Sequence, residues 1–113
     1  LAKPQQKVIA VIGDGSSMYA IQALWSAAHL RLPITFVILK NRRYAALQDF
    51  AAVFGYQAGE QVEGTDLPNL DFVALAQGQG CDGVHVDAAS QLQPVLQRAL
   101  QHPGPSVVEV EVA

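Results

Sequence analysis

Two apolar runs separated by a helical pattern dominate the N-terminal part of the chain. The first run, residues 8–12, is rich in β-branched residues and too short for a free-standing helix, so it predicts a strand buried on both faces. Apolar residues then recur at helical spacing, at Met18, Ile21, Leu24, Trp25 and Ala28. Leu32-Pro33 ends that helix, and a second β-branched run covers residues 34–39. The pattern predicts a strand-helix-strand unit.

Polar residues follow both predicted strands: Gly13-Asp14-Gly15 with Ser16 and Ser17 after the first, and Lys40-Asn41 after the second. The serines offer N-cap oxygens to the helix. In a right-handed unit with parallel strands, Asp14 and Asn41 lie at adjacent carboxyl ends, where open α/β sheets bind ligands. The glycines allow close approach of a ligand, and the free N–H groups of the helix favour an anion. Because carboxylate and amide oxygens suit Mg²⁺, these residues predict a metal-diphosphate site.

Two other interpretations of Gly13-Asp14-Gly15 are less favoured. An Asp-Gly hairpin needs a second alternating strand, whereas a helical period follows Gly15. A dinucleotide fingerprint needs a third glycine, and Met18 occupies that position.

The motif and its spacing resemble a known signature. Gly13-Asp14-Gly15, then residues 16–40, then Asn41, is similar to the cofactor signature of thiamine-diphosphate-dependent enzymes. The continuation resembles the benzoylformate decarboxylase branch through Tyr19, Ala23-Leu24-Trp25, Pro33, Tyr44-Ala45-Ala46-Leu47, Phe50, Asp71-Phe72 and Ala74-Leu75-Ala76. The resemblance covers nearly the whole chain.

The resemblance implies a set of site residues. Asp14, the Asn41 side chain and the Arg43 backbone carbonyl would hold Mg²⁺. The residues implied to bind thiamine diphosphate are Gly13, Asp14, Gly15, Ser16, Tyr19, Asn41, Arg43 and Tyr44. Leu47 and Phe50 would line the substrate pocket, although their helical stripe is equally typical of core packing, so both interpretations remain open.

The chain departs from the family pattern in the implied metal loop. Where the family usually has Asn-Asn followed by glycine and a small residue, this chain has Lys40-Asn41-Arg42-Arg43. A carbonyl ligand is indifferent to its own side chain, so Arg43 can still serve. The two arginine side chains are long enough to crowd the loop.

The function that the resemblance implies is decarboxylation of a 2-keto acid, with the cofactor accepting the electrons released with CO₂ and an aldehyde leaving. The alternatives are an acetolactate synthase-like carboligase and a non-catalytic module that has lost the cofactor. The family's activating glutamate and its substrate-binding serine and histidines belong to other segments, partly from a neighbouring subunit. No catalytic residue is therefore expected in this chain, which should be inactive alone and bind the cofactor weakly.

Composition narrows the classes of partner. Half of the 113 residues are hydrophobic, which predicts a single domain over residues 1–113. A net charge of −3 with only 15% charged residues argues against nucleic acid and anionic membranes, and no apolar run reaches the length of a membrane span. The single cysteine, Cys81, is expected to be structural and is typical of a reducing cytoplasm.

The chain is expected to be part of a longer protein. Residues 1–6 have the pattern of a loop leading into a strand, and the low charge favours packing against other domains or subunits. In the resembled family this domain is the last of three, and a glycine-rich segment and helix just upstream complete it. The expected partners are the remaining domains and a second subunit, in a homodimer or homotetramer.

The remaining pattern completes the predicted fold. Helices are expected over residues 44–54, over 72–79 with Asp71 as its cap, and after a Ser90/Gln93 capping box. Residues 55–69 should form an exposed loop, and 83–86 and 106–112 should form strands. The fold class is α/β, with three α/β/α layers and a mostly parallel sheet of four or five strands.

Two glutamates on the last predicted strand suggest a second chemistry. Glu109 and Glu111 share a face and could act as paired carboxylates. Because the sequence offers no third polar partner nearby, a solvated face is favoured, at the edge of the sheet or towards a partner. His29, His85 and His102 share no ligand-like spacing.

Overall fold

The structure, a computed structural model, describes residues 6–57 and 59–113. These residues form a four-stranded parallel sheet in the order β1-β2-β4-β3. The strands are β1 (Val8–Gly13), β2 (Ile34–Lys40), β3 (Asp82–Val86) and β4 (Ser106–Glu111). The helices are α1 (Asp14–Ser17), α2 (Ala23–His29), α3 (Ala45–Phe50), a 3-10 turn (Ala51–Phe54), α4 (Phe72–Gly78) and α5 (Ala89–Gln101).

Helices cover both faces of the sheet, which confirms the three-layer α/β/α class. On one face, α2 and α4 pack Leu24 and Phe72 against the layer that contains Val107. On the other face, α5 packs Val95 against Val108. Because successive residues of a strand point to opposite faces, the fully buried Val107 and Val108 anchor one core each.

The prediction that β1 is buried on both faces is wrong. Ile9 and Val11 are 55% and 64% exposed. They pair with Thr35 and Val37 on the face that α5 covers, but α5 packs over β2, β3 and β4 while β1 lies at the edge. A short apolar run looks the same in a covered strand and in an uncovered edge strand, so burial here depends on strand order.

The prediction that the last strand lies at the edge is also wrong. β4 is central, hydrogen-bonded to β2 on one side and to β3 on the other. Its first five residues, including Glu109, are buried.

The helix after the glycine motif is interrupted. Tyr19 and Ala20 donate to the carbonyls of Ser16 and Ser17, which is 3-10 spacing, and regular α-helix resumes only at Ala23. The serines do not cap the helix as predicted. Gly13 is the N-cap, and the Ser17 hydroxyl instead donates to the Asp14 carbonyl at 2.7 Å, a side-chain bond that competes with helical bonding.

The predicted caps of the two C-terminal helices have different outcomes. Asp71 caps α4 as predicted, its carboxylate accepting from the Ala74 N–H at 2.8 Å. The capping box is wrong, because α5 begins after Ala88 with no side-chain cap and Ser90 lies inside its first turn. None of the helices in residues 6–57 and 59–113 has the length and apolarity needed to span a membrane.

The described residues of segment 55–69, which are 55–57 and 59–69, are irregular and mostly exposed, as predicted, and Thr65 is the buried exception among them. The predicted loop at residues 1–6 lies outside the described residues except for Gln6, and Ala58 is also outside them.

Candidate functional site

A cleft of about 280 Å³ lies at the carboxyl ends of β1 and β2. The two strands pair up to Gly13 opposite Leu39, so the residues that follow them are neighbours. The lining residues are Gly13, Asp14, Gly15, Ser16, Tyr19, Asn41, Arg43, Tyr44, Ala45, Ala46 and Leu47. The eight positions implied to bind the cofactor thus surround a single cleft. Two larger depressions lie near Asp82 and Pro105, at the amino ends of the strands, where open α/β sheets do not usually bind ligands. A third lies beside α4, near Leu70 and Leu75, away from the glycine motif.

Asp14 is the buried acid of this cleft, with 2% of its surface exposed. One carboxylate oxygen accepts from the Gly15 N–H at 2.9 Å and the other from the Arg42 N–H at 2.6 Å. Within the described residues, no basic side chain forms an ion pair with it. Each oxygen keeps a free lone pair, and buried charges are usually paired or coordinate metals, so the arrangement fits a cation.

Asn41 and Arg43 line the same cleft as Asp14, and each offers a further oxygen. The Asn41 Oδ1 accepts the Arg43 N–H at 3.1 Å, which fixes the amide and leaves one lone pair. Backbone bonds from Arg42 and Tyr44 to residues 65–67 form an antiparallel bridge around Arg43. In such a bridge the carbonyl of the central residue points away from its partner strand, so the Arg43 carbonyl is not engaged by residues 65–67. All three donors are hard oxygens of the kind that Mg²⁺ prefers.

Gly15 is required by a close approach. A Cβ at this position would lie 2.6 Å from a ring carbon of Tyr44, so even alanine would displace that ring. Tyr44 in turn meets Tyr19 edge to face, with ring centroids 6.3 Å apart. The missing side chain at Gly15 therefore lets Tyr44 pack directly against the motif.

The two arginines of the loop differ in direction. Arg42 is not among the lining residues of the cleft; its 61% exposed side chain donates to Glu111 at 2.7 Å. Arg43 does line the cleft. The expected crowding of the loop is therefore wrong for Arg42 and stays a prediction for Arg43.

The predicted solvated face of Glu109 and Glu111 is wrong for Glu109, which is 3% exposed. Its carboxylate accepts from the Phe72 N–H at 2.8 Å and from the Lys40 ammonium at 3.2 Å, and lies 2.6 Å from His85 Nδ1. These partners lie 37, 69 and 24 positions away along the chain. No local pattern could have identified them.

Glu111 is partly covered and carries a perturbed charge. Burial acts to raise the pKa of Glu111, but hydrogen bonds and charges from Arg42 and Lys40 outweigh it and lower that pKa below its ordinary value. Cys81, by contrast, is buried, and burial raises the pKa of its thiol. Its sulfur donates to the Leu24 carbonyl at 3.3 Å, which fits the expected structural role.

The helix proposed to carry substrate contacts is exposed. Leu47 lines the cleft and is 52% exposed, whereas Phe50 is 62% exposed and is not among the lining residues. None of the residues of α3 is buried. The core-packing interpretation is therefore wrong for the described residues, and the pocket interpretation remains a prediction.

Comparison with known proteins finds similar sequences over nearly the whole chain. The family profile "Thiamine pyrophosphate enzyme, C-terminal TPP binding domain" matches residues 1–110. Benzoylformate decarboxylase of Pseudomonas aeruginosa is 44% identical over 110 residues, covering 97% of this chain and 20% of that protein. Acetolactate synthase of Bacillus subtilis is 30% identical over 112 residues, covering 99% and 19%.

Solved structures give the same relationship. A thiamine diphosphate-dependent 4-hydroxybenzoylformate decarboxylase from Rhodococcus jostii RHA1 has a TM-score of 0.89 at 40% identity, covering 98% of this chain and 20% of that one. Benzoylformate decarboxylase from Polynucleobacter necessarius has a TM-score of 0.88 at 28% identity, covering 99% and 20%. The chain thus spans about a fifth of the length of these relatives.

Proposed function

Since the chain belongs to the thiamine pyrophosphate enzymes and carries their C-terminal TPP binding domain, we propose that it holds the Mg²⁺ and diphosphate of the cofactor in a 2-keto acid decarboxylase. The observation that carries this proposal is Asp14, a buried carboxylate without a basic partner among the described residues. It lies in the cleft that the motif residues line.

The metal would be held by three oxygens from two strand ends. Asp14 supplies the charged ligand, and the Asn41 side chain and the Arg43 carbonyl supply neutral ones. Backbone hydrogen bonds already fix Asp14 and Asn41, so little ordering is needed when the ion binds. Mg²⁺ commonly takes few protein ligands and fills its octahedron with phosphate oxygens and water.

The diphosphate would lie along Gly13, Gly15 and Ser16. The first N–H groups of a helix lack helical acceptors and favour an anion. The Gly15 N–H already donates to Asp14, so Gly15 contributes close approach of the ligand. Tyr19 and Tyr44 line the same cleft.

When bound, thiamine diphosphate supplies the electron sink for loss of CO₂ from a 2-keto acid. The residues of this chain orient the cofactor through its metal and diphosphate. We propose that the activating carboxylate and the substrate-binding groups come from other domains and a second subunit of a homodimer or homotetramer. On its own, this chain should bind the cofactor weakly and decarboxylate no 2-keto acid.

An exposed apolar surface supports such partners. The side chains of Leu47, Phe50, Val53 and Phe54 are between 52% and 77% exposed on α3 and the 3-10 turn. Large exposed apolar side chains grouped on successive turns are typical of a contact with another domain or subunit.

The proposed function is tested by metal-dependent cofactor binding and product analysis on the intact enzyme. Binding of thiamine diphosphate that requires Mg²⁺, with an aldehyde and CO₂ formed from an aromatic 2-keto acid, is expected. A carbon-carbon bonded hydroxyketo acid as the main product would favour the carboligase alternative, which the similarity to acetolactate synthase supports. Absence of cofactor binding would leave the non-catalytic module.

A pocket role for Leu47 predicts a change in selectivity. In the intact enzyme, Leu47→Ala should alter the kcat/KM ratio between aromatic and aliphatic 2-keto acids by about tenfold, the usual effect of a few methylene contacts in an apolar pocket. Val53→Ala is the matched control, since Val53 is 74% exposed on the following turn and does not line the cleft. Unaltered selectivity in Leu47→Ala would remove the pocket assignment.

A further inference from the structure

Two carboxylates of β4 form ion pairs with the residues on either side of Asn41. Lys40, which precedes Asn41, lies with its ammonium 3.2 Å from Glu109 and 3.5 Å from Glu111. Arg42, which follows Asn41, donates to Glu111 at 2.7 Å. These contacts join the end of β2 to the neighbouring strand β4, where Lys40 and Glu111 are register partners.

Arg42 is held in an uncommon backbone conformation. Its φ of 61° lies in the left-handed region, which a long side chain adopts at some energetic cost. Its N–H donates to Asp14, its carbonyl accepts from the Leu67 N–H at 2.7 Å, and its guanidinium binds Glu111. The same residue donates one of the two backbone hydrogen bonds that hold the candidate metal ligand Asp14, so its conformation contributes to the position of that carboxylate.

Glu109 connects the same loop to α4 and β3. Through its carboxylate, Lys40 is connected to the first turn of α4 at Phe72 and to His85 on β3. The group is 3% exposed, so these contacts are little screened by water.

A second metal centre is the rival explanation of this cluster. Ligand atoms of His85, Glu109 and Glu111 lie within 4.8 Å of one another. The Lys40 ammonium, however, already lies against both carboxylates and supplies the positive charge that a metal ion would bring. The cluster is therefore better explained as a support for the loop than as a site of its own.

We propose that Glu109 and Glu111 are positioning residues for the cation-binding loop 40–43, holding Lys40 and Arg42 so that Asn41, the Arg43 carbonyl and Asp14 are arranged before the ion arrives. This inference rests on the proposed function of the cleft. It also accounts for two basic residues flanking Asn41, since each has an acidic partner on β4.

The test is a titration of the intact enzyme with Mg²⁺ in the presence of thiamine diphosphate, in which binding is measured by calorimetry. Glu111→Gln should raise the apparent Kd for Mg²⁺ about tenfold, the lower end of the effect of groups that hold a metal ligand without touching the metal. The kcat at saturating Mg²⁺ and cofactor, and the melting temperature of the metal-free protein, should stay close to the parent values. Glu63→Gln, an exposed residue with the same change of charge, is the control and should leave the Kd unchanged.

A double-mutant cycle separates positioning from the loss of a negative charge. In an Arg42→Gly background the left-handed conformation needs no support, and Lys40 keeps its nearer carboxylate, Glu109. Glu111→Gln should then change the Kd by only about twofold or less. A purely long-range effect of charge would persist in that background and would overturn the proposal, as would an unchanged Kd in Glu111→Gln alone. If Asp14→Ala also left Mg²⁺ binding unaltered, the proposed function itself would fail; intact sensitivity to Asp14→Ala would confine the failure to the positioning role.

Discussion

Replacing Asp14 by alanine in the intact enzyme should abolish activity at ordinary cofactor concentrations while the fold is retained. The variant removes the charged ligand of the proposed metal site. Groups that merely support a metal ligand already contribute about 10- to 100-fold to affinity, so we expect a loss of more than about a hundredfold in metal-dependent cofactor binding.

The fold should survive because Asp14 contributes a buried charge that no basic side chain of the described residues offsets. Removing an uncompensated buried charge leaves no buried counter-ion without a partner. The Gly15 and Arg42 N–H groups lose their acceptor, so the melting temperature should fall while the fold is kept. Calorimetric titration with thiamine diphosphate and Mg²⁺, together with the melting temperature, measures both effects. Asp87→Ala is the matched control, since Asp87 is an exposed aspartate that follows β3 at the same edge of the sheet. Equal cofactor affinity in Asp14→Ala and the parent would show that Asp14 is not a ligand of the metal.

Glu109→Ala should have the largest effect on stability. The change would leave the buried Phe72 N–H without an acceptor and the Lys40 ammonium, whose side chain is 12% exposed, without its nearest carboxylate. Breaking a buried ion pair by removing one partner costs about 3 to 5 kcal/mol. The free energy needed to open the structure around α4 and β4 should fall by that amount.

Native-state hydrogen exchange of the intact enzyme measures this locally. Amides of α4 and β4 should exchange at least about a hundred times faster in Glu109→Ala than in the parent. Glu63→Ala, an exposed substitution, should change the opening free energy by no more than about 0.5 kcal/mol. Exchange in Glu109→Ala as slow as in the control would mean that the buried contacts of Glu109 contribute little.

The strand-helix-strand unit and its motif could be predicted because their signals are local. The β-branched runs, the glycines around Asp14 and the position of Asn41 are all visible in one stretch, and parallel pairing brings the strand ends together. Asp71 was predictable for the same reason, since a cap acts within one helical turn.

The errors concern features that depend on strand order. β1 is exposed because it is an edge strand, and β4 is buried because it is central. The pattern of apolar and polar residues within each strand does not reveal its position in the sheet. The burial of Glu109 could not be predicted locally, because its partners Lys40 and His85 reach it only where β4 lies between β2 and β3. A glutamate next to two consecutive valines on a C-terminal strand was the only available hint of burial.

The interrupted helix has a different cause. Apolar spacing from Met18 to Ala28 is helical throughout, but the Ser17 hydroxyl bonds back to the Asp14 carbonyl and the next turn adopts 3-10 spacing. Periodicity does not distinguish the two helical types over a single turn.

The most direct test of the account is the position of the metal. Crystals of the intact enzyme grown with thiamine diphosphate and Mn²⁺ in place of Mg²⁺ would reveal the ion by its anomalous scattering. We expect a peak about 2.0 to 2.3 Å from a carboxylate oxygen of Asp14, the Asn41 Oδ1 and the Arg43 carbonyl, close to the distances of Mg²⁺ sites. A fully occupied cofactor with the peak elsewhere, for example among His85, Glu109 and Glu111, would contradict it.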